Sequence, residues 1–212
     1  MVSHMSMSLA TYRIETPRLI IRAWSPEDAP QMRRAEEESK AHLSTFMVWA
    51  KKIPQTMDEV VDKIRSWRIQ MDSDRDCMYG VFDRQTNAIV GGSGLHPRSG
   101  VGGIEIGYWV HSAWTNKGIA TEVAGALTRV AIEVGDVRFV EIRCAKSNTF
   151  SARVAQRLGY VHEATLRQRI EMPNDVYADA LVFSMFEADY GPSPAKKTEI
   201  TAAFDIAGRR LM

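Results

Sequence analysis

Residues 103–127 read GIEIGYWVHSAWTNKGIATEVAGAL, and the pattern changes at Lys117 and Gly118. Before this point apolar side chains alternate with others, which is typical of a half-buried strand. After it, apolar residues fall on one face of a helix. A glycine at such a junction lets a ligand approach the unpaired backbone N–H groups at the positive end of a helix. We therefore expect the turn containing Lys117, Gly118 and Ala120 either to bind a pyrophosphate or to be a simple, closely packed connection.

The composition restricts the class of protein. The chain has 212 residues, with 45% hydrophobic and 25% charged residues and a formal net charge of +1. This is typical of one globular domain with an ordinary core. The near-zero charge predicts no nucleic-acid partner, and the lack of long apolar runs predicts no membrane span.

Other residue types point away from a secreted or metal-binding protein. Two cysteines are too few for a disulfide scaffold, and the first residues lack a secretory signal, so we expect a cytoplasmic protein. His96, His111 and His162 lack the spacing of metal ligands, and we expect no metal. Residues 1–10 resemble an expression remnant. We expect one domain over residues 11–190, followed by a tail, 191–212, that is either a docked helix or disordered.

The order of the elements predicts the fold class. An alternating run over residues 11–24 predicts a strand, and two helical patterns follow it. Three strand-like runs separated by turn residues then predict an antiparallel meander. A helix, an apolar strand, a helix ended by Gly159 and a closing hairpin come next. We predict an α+β fold with a mixed, mostly antiparallel central sheet and helices on both faces.

Several blocks in this order resemble a known family. They are TPRLIIRAWSPEDAPQM, GIEIGYWVHSAWTNKGIATEVAGAL and VEIRCAKSNTFSARVAQRLGYVHEATLRQ. Together they are similar to the GNAT superfamily of N-acetyltransferases, and most similar to its RimJ/RimL-type branch. The resemblance covers roughly residues 16–187. It implies that the strand before Lys117 splays from a parallel neighbour, and that acyl-coenzyme A enters the resulting gap.

The resemblance also implies which residues hold the cofactor. The pyrophosphate would lie on the turn and first helical residues, and the pantetheine arm would pair with backbone groups near the end of the preceding strand. A long basic or amide side chain that the family carries at the first position of the loop is replaced here by Thr115, and Lys117 would supply some of the lost charge. The implied cofactor-binding residues are Trp109, Val110, His111, Lys117, Gly118, Ile119, Ala120, Thr121, Asn148 and Ser151.

Two residues are candidates for proton transfer. Many relatives carry a tyrosine that protonates the departing thiolate, but the matching position here is Ala155. The resemblance therefore implies Ser151 as the general acid, with a helix-capping or first-turn serine as the alternative. Glu105 would take a proton from the acceptor amine or orient it. Its alternative is a strand glutamate paired with an arginine.

The predicted function is the transfer of acetyl from acetyl-coenzyme A to a primary amine, on a protein N-terminus or a small molecule. Trp49, in an aromatic and irregular segment, would line the acceptor pocket together with Glu105. Three alternatives stay open: an acyl-coenzyme A sensor without turnover, another donor such as succinyl-coenzyme A, and a different amine acceptor. Relatives of this family are often dimers, so a homodimer is also left open.

Overall fold

The computed structural model describes residues 11–173 and 175–212, so the predicted remnant at residues 1–10 lies outside the described residues. Within these ranges nine strands form one sheet. The strands are β1 (Arg13–Glu15), β2 (Leu19–Ala23), β3 (Cys77–Asp83), β4 (Ile89–His96), β5 (Gly103–Val110), β6 (Phe139–Ala145), β7 (Val161–Glu171), β8 (Tyr177–Phe186) and β9 (Ala202–Phe204).

The helices lie between these strands and continue the predicted order. They are α1 (Ala29–Leu43), α2 (Met57–Asp72), α3 (Ile119–Glu133), α4 (Thr149–Leu158) and the short α5 (Glu187–Tyr190). Local sequence sets their ends. The Thr56 hydroxyl accepts a hydrogen bond from the Glu59 N–H, and the Glu59 carboxylate accepts one from the Thr56 N–H. Gly159 ends α4 in the left-handed conformation, with φ 86°.

The sheet is mixed, as predicted. Its strand order is β7-β8-β6-β5-β4-β3-β2-β1-β9, and β5 with β6 is the parallel pair. The largest core packs α3 and α4 on one face of the sheet, where Ile104, Ile106 and Val140 are buried. A second core packs α1 and α2 on the other face around Trp24 and Phe82. We call this second face, which also carries Glu105 and Trp109, the α1/α2 face.

The first predicted strand is in fact a hairpin. Residues 11–24 form β1 and β2, joined by a turn in which the Thr16 hydroxyl accepts a hydrogen bond from the Leu19 N–H at 2.9 Å. Pro17 lies in this turn. Its ring removes a backbone donor and fixes φ, so the extended run breaks there although the apolar alternation continues.

The tail corrects a second expectation. We expected residues 191–212 to be a docked helix or disordered, but Ala202–Phe204 forms β9, which pairs with β1. The tail also packs on α3, where Gly125 lies so close to Thr198 that no side chain would fit between them. Arg129 of α3 donates to the Thr198 carbonyl at 2.9 Å. The absence of a side chain at Gly125 therefore allows the tail to lie against the helix.

Among the described residues, none of the helices combines the length and the apolar character needed to cross a membrane.

Candidate active site

A gap opens between β5 and β6. The two strands pair in parallel only at Gly103, Ile104 and Glu105, opposite Phe139, Val140 and Glu141. Beyond Glu105, β5 continues to Val110 beside β4, while β6 continues to Ala145 beside β8. The strands therefore diverge after three pairs and leave backbone groups facing a wedge, as the sequence resemblance implied.

Hydrogen bonds show which backbone groups of β5 face this gap. The His111 N–H donates to the Val90 carbonyl at 2.8 Å, and the Gly107 carbonyl accepts from the Ser93 hydroxyl at 2.7 Å. Both groups therefore point to β4. Backbone groups alternate between the two sides of a strand, which directs those of Val110 toward the gap and those of Trp109 and His111 away from it. Of these three predicted contacts to the pantetheine arm, only Val110 has the required direction.

Three polar side chains converge from both sides of the gap. The Tyr108 hydroxyl on β5 and the Ser151 hydroxyl on α4 lie 2.9 Å apart. The Cys144 thiol on β6 also interacts with the Ser151 hydroxyl. Burial raises the pKa of Tyr108 and that of Cys144, and the Ser151 contact opposes both shifts. Both groups are therefore held in their protonated, neutral forms beside Ser151.

Asn148 fixes the position of Ser151. Its side-chain oxygen accepts a hydrogen bond from the Ser151 N–H at 3.1 Å, so Asn148 caps α4. Because the cap uses the backbone of Ser151, the hydroxyl of Ser151 stays available for Tyr108 and Cys144. Asn148 thus fills the capping role held as one alternative for Ser151, whereas the other alternative, a serine in the first turn of the helix, agrees with its position in α4.

The turn before α3 has the features of an anion site. Gly118 has φ 79° and ψ 2°, the left-handed region that an L side chain rarely adopts. The first helical hydrogen bond runs from the Glu122 N–H to the Gly118 carbonyl at 3.0 Å. The N–H groups of Ile119, Ala120 and Thr121 therefore have no acceptor within the helix. These three amides lie at the positive end of a 15-residue helix.

The two unusual residues of this turn have local roles. The Thr115 hydroxyl donates to the Ser112 carbonyl at 3.0 Å and closes the short 3-10 turn after β5. The Lys117 ammonium lies 4.7 Å from the ring centroid of Trp114, a cation–π contact. Thr115 thus stabilises the turn, and Lys117 keeps a positive charge close to it.

Sequence reasoning missed Arg18, which brings a second charge to this turn. Its guanidinium donates to the Lys117 carbonyl at 3.1 Å and forms an ion pair with Glu122 at 2.5 Å. Arg18 lies in the hairpin turn before β2, about 100 positions earlier in the chain. Only the packing of β2 beside the start of α3 reveals the contact, so no local sequence pattern signals it.

Arg18→Ala should weaken coenzyme A binding by about fivefold to tenfold, because the variant frees the Lys117 carbonyl and leaves Glu122 uncompensated near the anion site. Isothermal titration calorimetry measures the change. Arg13→Ala is the matched control, since Arg13 is similarly exposed and also forms an ion pair, with Glu15, but at β1. Equal affinities in both variants and the wild type would contradict a role for Arg18 at the turn.

The α1/α2 face carries an aromatic pair beside the gap. Trp49, in the segment between α1 and α2, packs edge-to-face on Trp109 of β5 with ring centroids 6.1 Å apart. Trp49 remains 36% exposed. In the same segment, Lys51 forms an ion pair with Asp175, which lies between β7 and β8. The segment thus spans from β5 to the β7–β8 hairpin and lies over the mouth of the gap.

Glu105 lies on the same face, and both of its carboxylate oxygens accept hydrogen bonds from an arginine. Arg98 donates to both carboxylate oxygens, from Nε at 3.1 Å and from Nη2 at 2.6 Å, and Arg143 lies 3.8 Å away. Glu105 is 8% exposed. The arginine pairing considered as the alternative for Glu105 is therefore present, although the residue is buried rather than on the surface.

The similarity to known proteins agrees with this geometry. Residues 18–161, more than half of the chain, match the family described as acetyltransferase (GNAT) domain. The chain belongs to the GNAT acetyltransferase family. The family prediction made from the sequence blocks is thereby confirmed, and so is the prediction of an acetyltransferase enzyme.

One relative is consistent with the RimJ/RimL-type branch. This chain is 34% identical to the ribosomal-protein-serine acetyltransferase of Escherichia coli (strain K12), over 38% of this chain and 44% of that protein. The chain thus matches less than half the length of that relative.

Two solved structures share the fold. The ribosomal-protein alpha-N-acetyltransferase RimL in complex with coenzyme A has a TM-score of 0.75 and 22% identity, over 82% of this chain and 97% of that one. The microcin self-immunity acetyltransferase MccE, in complex with acetyl-coenzyme A and AMP, has a TM-score of 0.74 and 20% identity, over 81% and 93%. At these identities the two structures bear on the fold alone.

Proposed function

We propose that this GNAT enzyme transfers acetyl from acetyl-coenzyme A to a free N-terminal amine of a protein or peptide. The observation that carries the proposal is the wedge between β5 and β6. The Tyr108–Ser151 hydroxyl pair lies beside it, and the helix after Gly118 begins with free amides. A pyrophosphate needs such amides, and a leaving thiolate needs a nearby proton donor.

Different residues of the chain would bind the cofactor and transfer the protons. The amides of Ile119, Ala120 and Thr121 bind the pyrophosphate, and the backbone of Val110 pairs with the pantetheine arm. The Ser151 hydroxyl then lies beside the gap and donates a proton to the departing sulfur. Tyr108, kept neutral by burial, can return a proton to Ser151 through their 2.9 Å contact. Holding the amine and the thioester together supplies much of the remaining rate.

The acceptor is expected on the opposite side of the gap from α3. Trp49 and Trp109 offer an apolar surface there, and Glu105 with Arg98 and Arg143 forms a charged border. In this arrangement Glu105 fixes the positions of Arg98 and Arg143, and these two arginines orient the acceptor. The curated relative that acts on a ribosomal protein supports a protein N-terminus over a small amine.

A thiol-release assay with acetyl-coenzyme A tests the function. The acceptors are peptides beginning with serine or alanine, the same peptides with blocked N-termini, and small amines such as spermidine. We expect turnover with free peptides only, and mass spectrometry should place the acetyl group on the terminal nitrogen. Turnover with small amines alone would reject the peptide acceptor. Tight coenzyme A binding without any turnover would favour a sensor, and faster turnover with succinyl-coenzyme A would change the donor.

A further inference from the structure

A histidine and an aspartate form a pair on the α1/α2 face, next to the gap. His96, the last residue of β4, lies opposite Glu105 of β5 in the antiparallel register. Its Nδ1 lies 2.6 Å from the Asp76 carboxylate, which precedes β3. The sequence alone suggests only a structural or exposed histidine here, because Asp76 is 20 positions away in the chain.

The imidazole lies at the level where β5 and β6 separate. A methyl group placed on Gly107 would lie 3.3 Å from Nε2 of His96, and one on Gly94 would lie 2.6 Å from it. The ring therefore covers the two glycines and could not do so if Gly94 carried a side chain. Gly107 is two residues beyond Glu105, the last residue of β5 that pairs with β6. His96 thus lies beside the opening of the wedge.

The hydrogen bond to Asp76 also orients the ring. An imidazole that donates its Nδ1 hydrogen to a carboxylate presents a lone pair at Nε2. Across residues 11–173 and 175–212, Nε2 of His96 makes no hydrogen bond, and the side chain is 12% exposed. A carboxylate bound to one ring nitrogen, a fixed ring and an unengaged second nitrogen are the arrangement in which histidine acts as a general base.

The neighbouring carboxylate is less suited to this task. Both oxygens of Glu105 accept hydrogen bonds from Arg98, and Arg143 lies close to one of them. A proton moving to Glu105 would neutralise the carboxylate and weaken its ion pair with Arg98. Nε2 of His96 can accept a proton without breaking any contact, and Asp76 stabilises the imidazolium that forms.

We propose that His96 is the general base that takes the proton from the acceptor amine, and that Asp76 positions its ring. This inference rests on the proposed function. In the step, the amine nitrogen bonds to the thioester carbonyl carbon, and the carbon–sulfur bond breaks. One N–H proton moves to Nε2 of His96, and the sulfur takes the hydroxyl proton of Ser151. The proton on His96 returns through solvent to the Tyr108–Ser151 pair, which leaves an amide and a free thiol.

The test compares substitutions of His96 in the full chain. His96→Asn keeps a donor for Asp76 but removes Nε2, and it should lower kcat by about 100-fold or more. The affinity for coenzyme A, measured by calorimetry, should stay within about twofold of wild type. His96→Ala should lose the same activity and recover part of it when imidazole is added to the assay. His162→Asn, on the distant strand β7, is the matched control and should keep the wild-type kcat.

Each outcome decides the proposal. A wild-type kcat in His96→Asn would overturn the base role while the proposed function stands. A His96→Ala variant that is folded and binds coenzyme A, but is inactive and not rescued by imidazole, would assign His96 a structural role and also overturn it. If the wild-type chain acetylates no amine, the proposed function fails first, and the base role fails with it. Asp76→Asn should lower kcat by about tenfold without changing the KM for acetyl-coenzyme A, as expected of a positioning residue.

Discussion

Gly118→Val should weaken coenzyme A binding by about 100-fold or more, which corresponds to about 2.7 kcal/mol. The physical reason is the left-handed backbone at this position, with φ 79°. A β-branched residue resists that conformation, so the substitution should distort the turn that presents the amides of Ile119 and Ala120, the proposed phosphate site. Loss of two hydrogen bonds to a charged group accounts for a change of this size. Calorimetry with coenzyme A measures it directly.

The matched control separates binding from backbone strain. Gly100 has φ 97°, and a side chain placed there would meet nothing within 4 Å. Gly100→Val therefore introduces a similar backbone cost in the turn before β5, at the opposite end of that strand from Gly118. We expect similar thermal destabilisation in both variants, but weakened binding only in Gly118→Val. Wild-type affinity in Gly118→Val would show that the pyrophosphate binds elsewhere.

Ser151→Ala should lower kcat by about 100-fold at saturating acetyl-coenzyme A, with little change in KM. General acid catalysis typically contributes a factor of about 10²–10⁴, and Ser151 is the group proposed to protonate the departing thiolate. The substitution leaves the helix cap intact, because Asn148 accepts its hydrogen bond from the backbone of residue 151. A stable fold is therefore expected, and circular dichroism checks it.

Thr149→Ala is the control for this experiment, since Thr149 is exposed on the same first turn of α4 and should be dispensable. Tyr108→Phe identifies which hydroxyl acts. If Ser151 is the acid, Tyr108→Phe should reduce kcat less than Ser151→Ala does. The reverse order, with nearly normal activity in Ser151→Ala, would make Tyr108 the proton donor.

Much of the fold could be predicted because its signals are local. The meander over β3, β4 and β5 follows from alternation and turn residues, and α4 follows from Asn148 at its start and Gly159 at its end. The errors have a common cause. In residues 11–24 a tight turn interrupts a continuing apolar pattern, and in the tail a three-residue strand forms only because β1 offers an unpaired edge. Neither feature is visible in a short window of sequence.

The residues of the candidate site also fall into two groups, those that local sequence indicates and those that depend on contacts between distant segments. Gly118 and Ser151 belong to recognisable local motifs, so sequence reasoning could propose them. Arg18, Tyr108 and the His96–Asp76 pair depend on the register of strands and on contacts between distant segments. Tyr108 offered one weak signal, because it follows Ile104 and Ile106 on the buried face of β5. A hydroxyl at that position requires a partner, and Ser151 provides it.

The packing of the tail on α3 has a thermodynamic consequence. Thr198 fills the space above Gly125, and its carbonyl accepts a hydrogen bond from Arg129. The tail therefore holds in place α3, the helix whose first amides are the proposed phosphate site. Linkage is reciprocal. If packing of the tail on α3 raises the affinity for the cofactor, the bound cofactor stabilises that packing by the same free energy. In the absence of acetyl-coenzyme A, the tail should therefore detach from α3 more often. Its detachment should lower the affinity for phosphate at the N-terminus of α3.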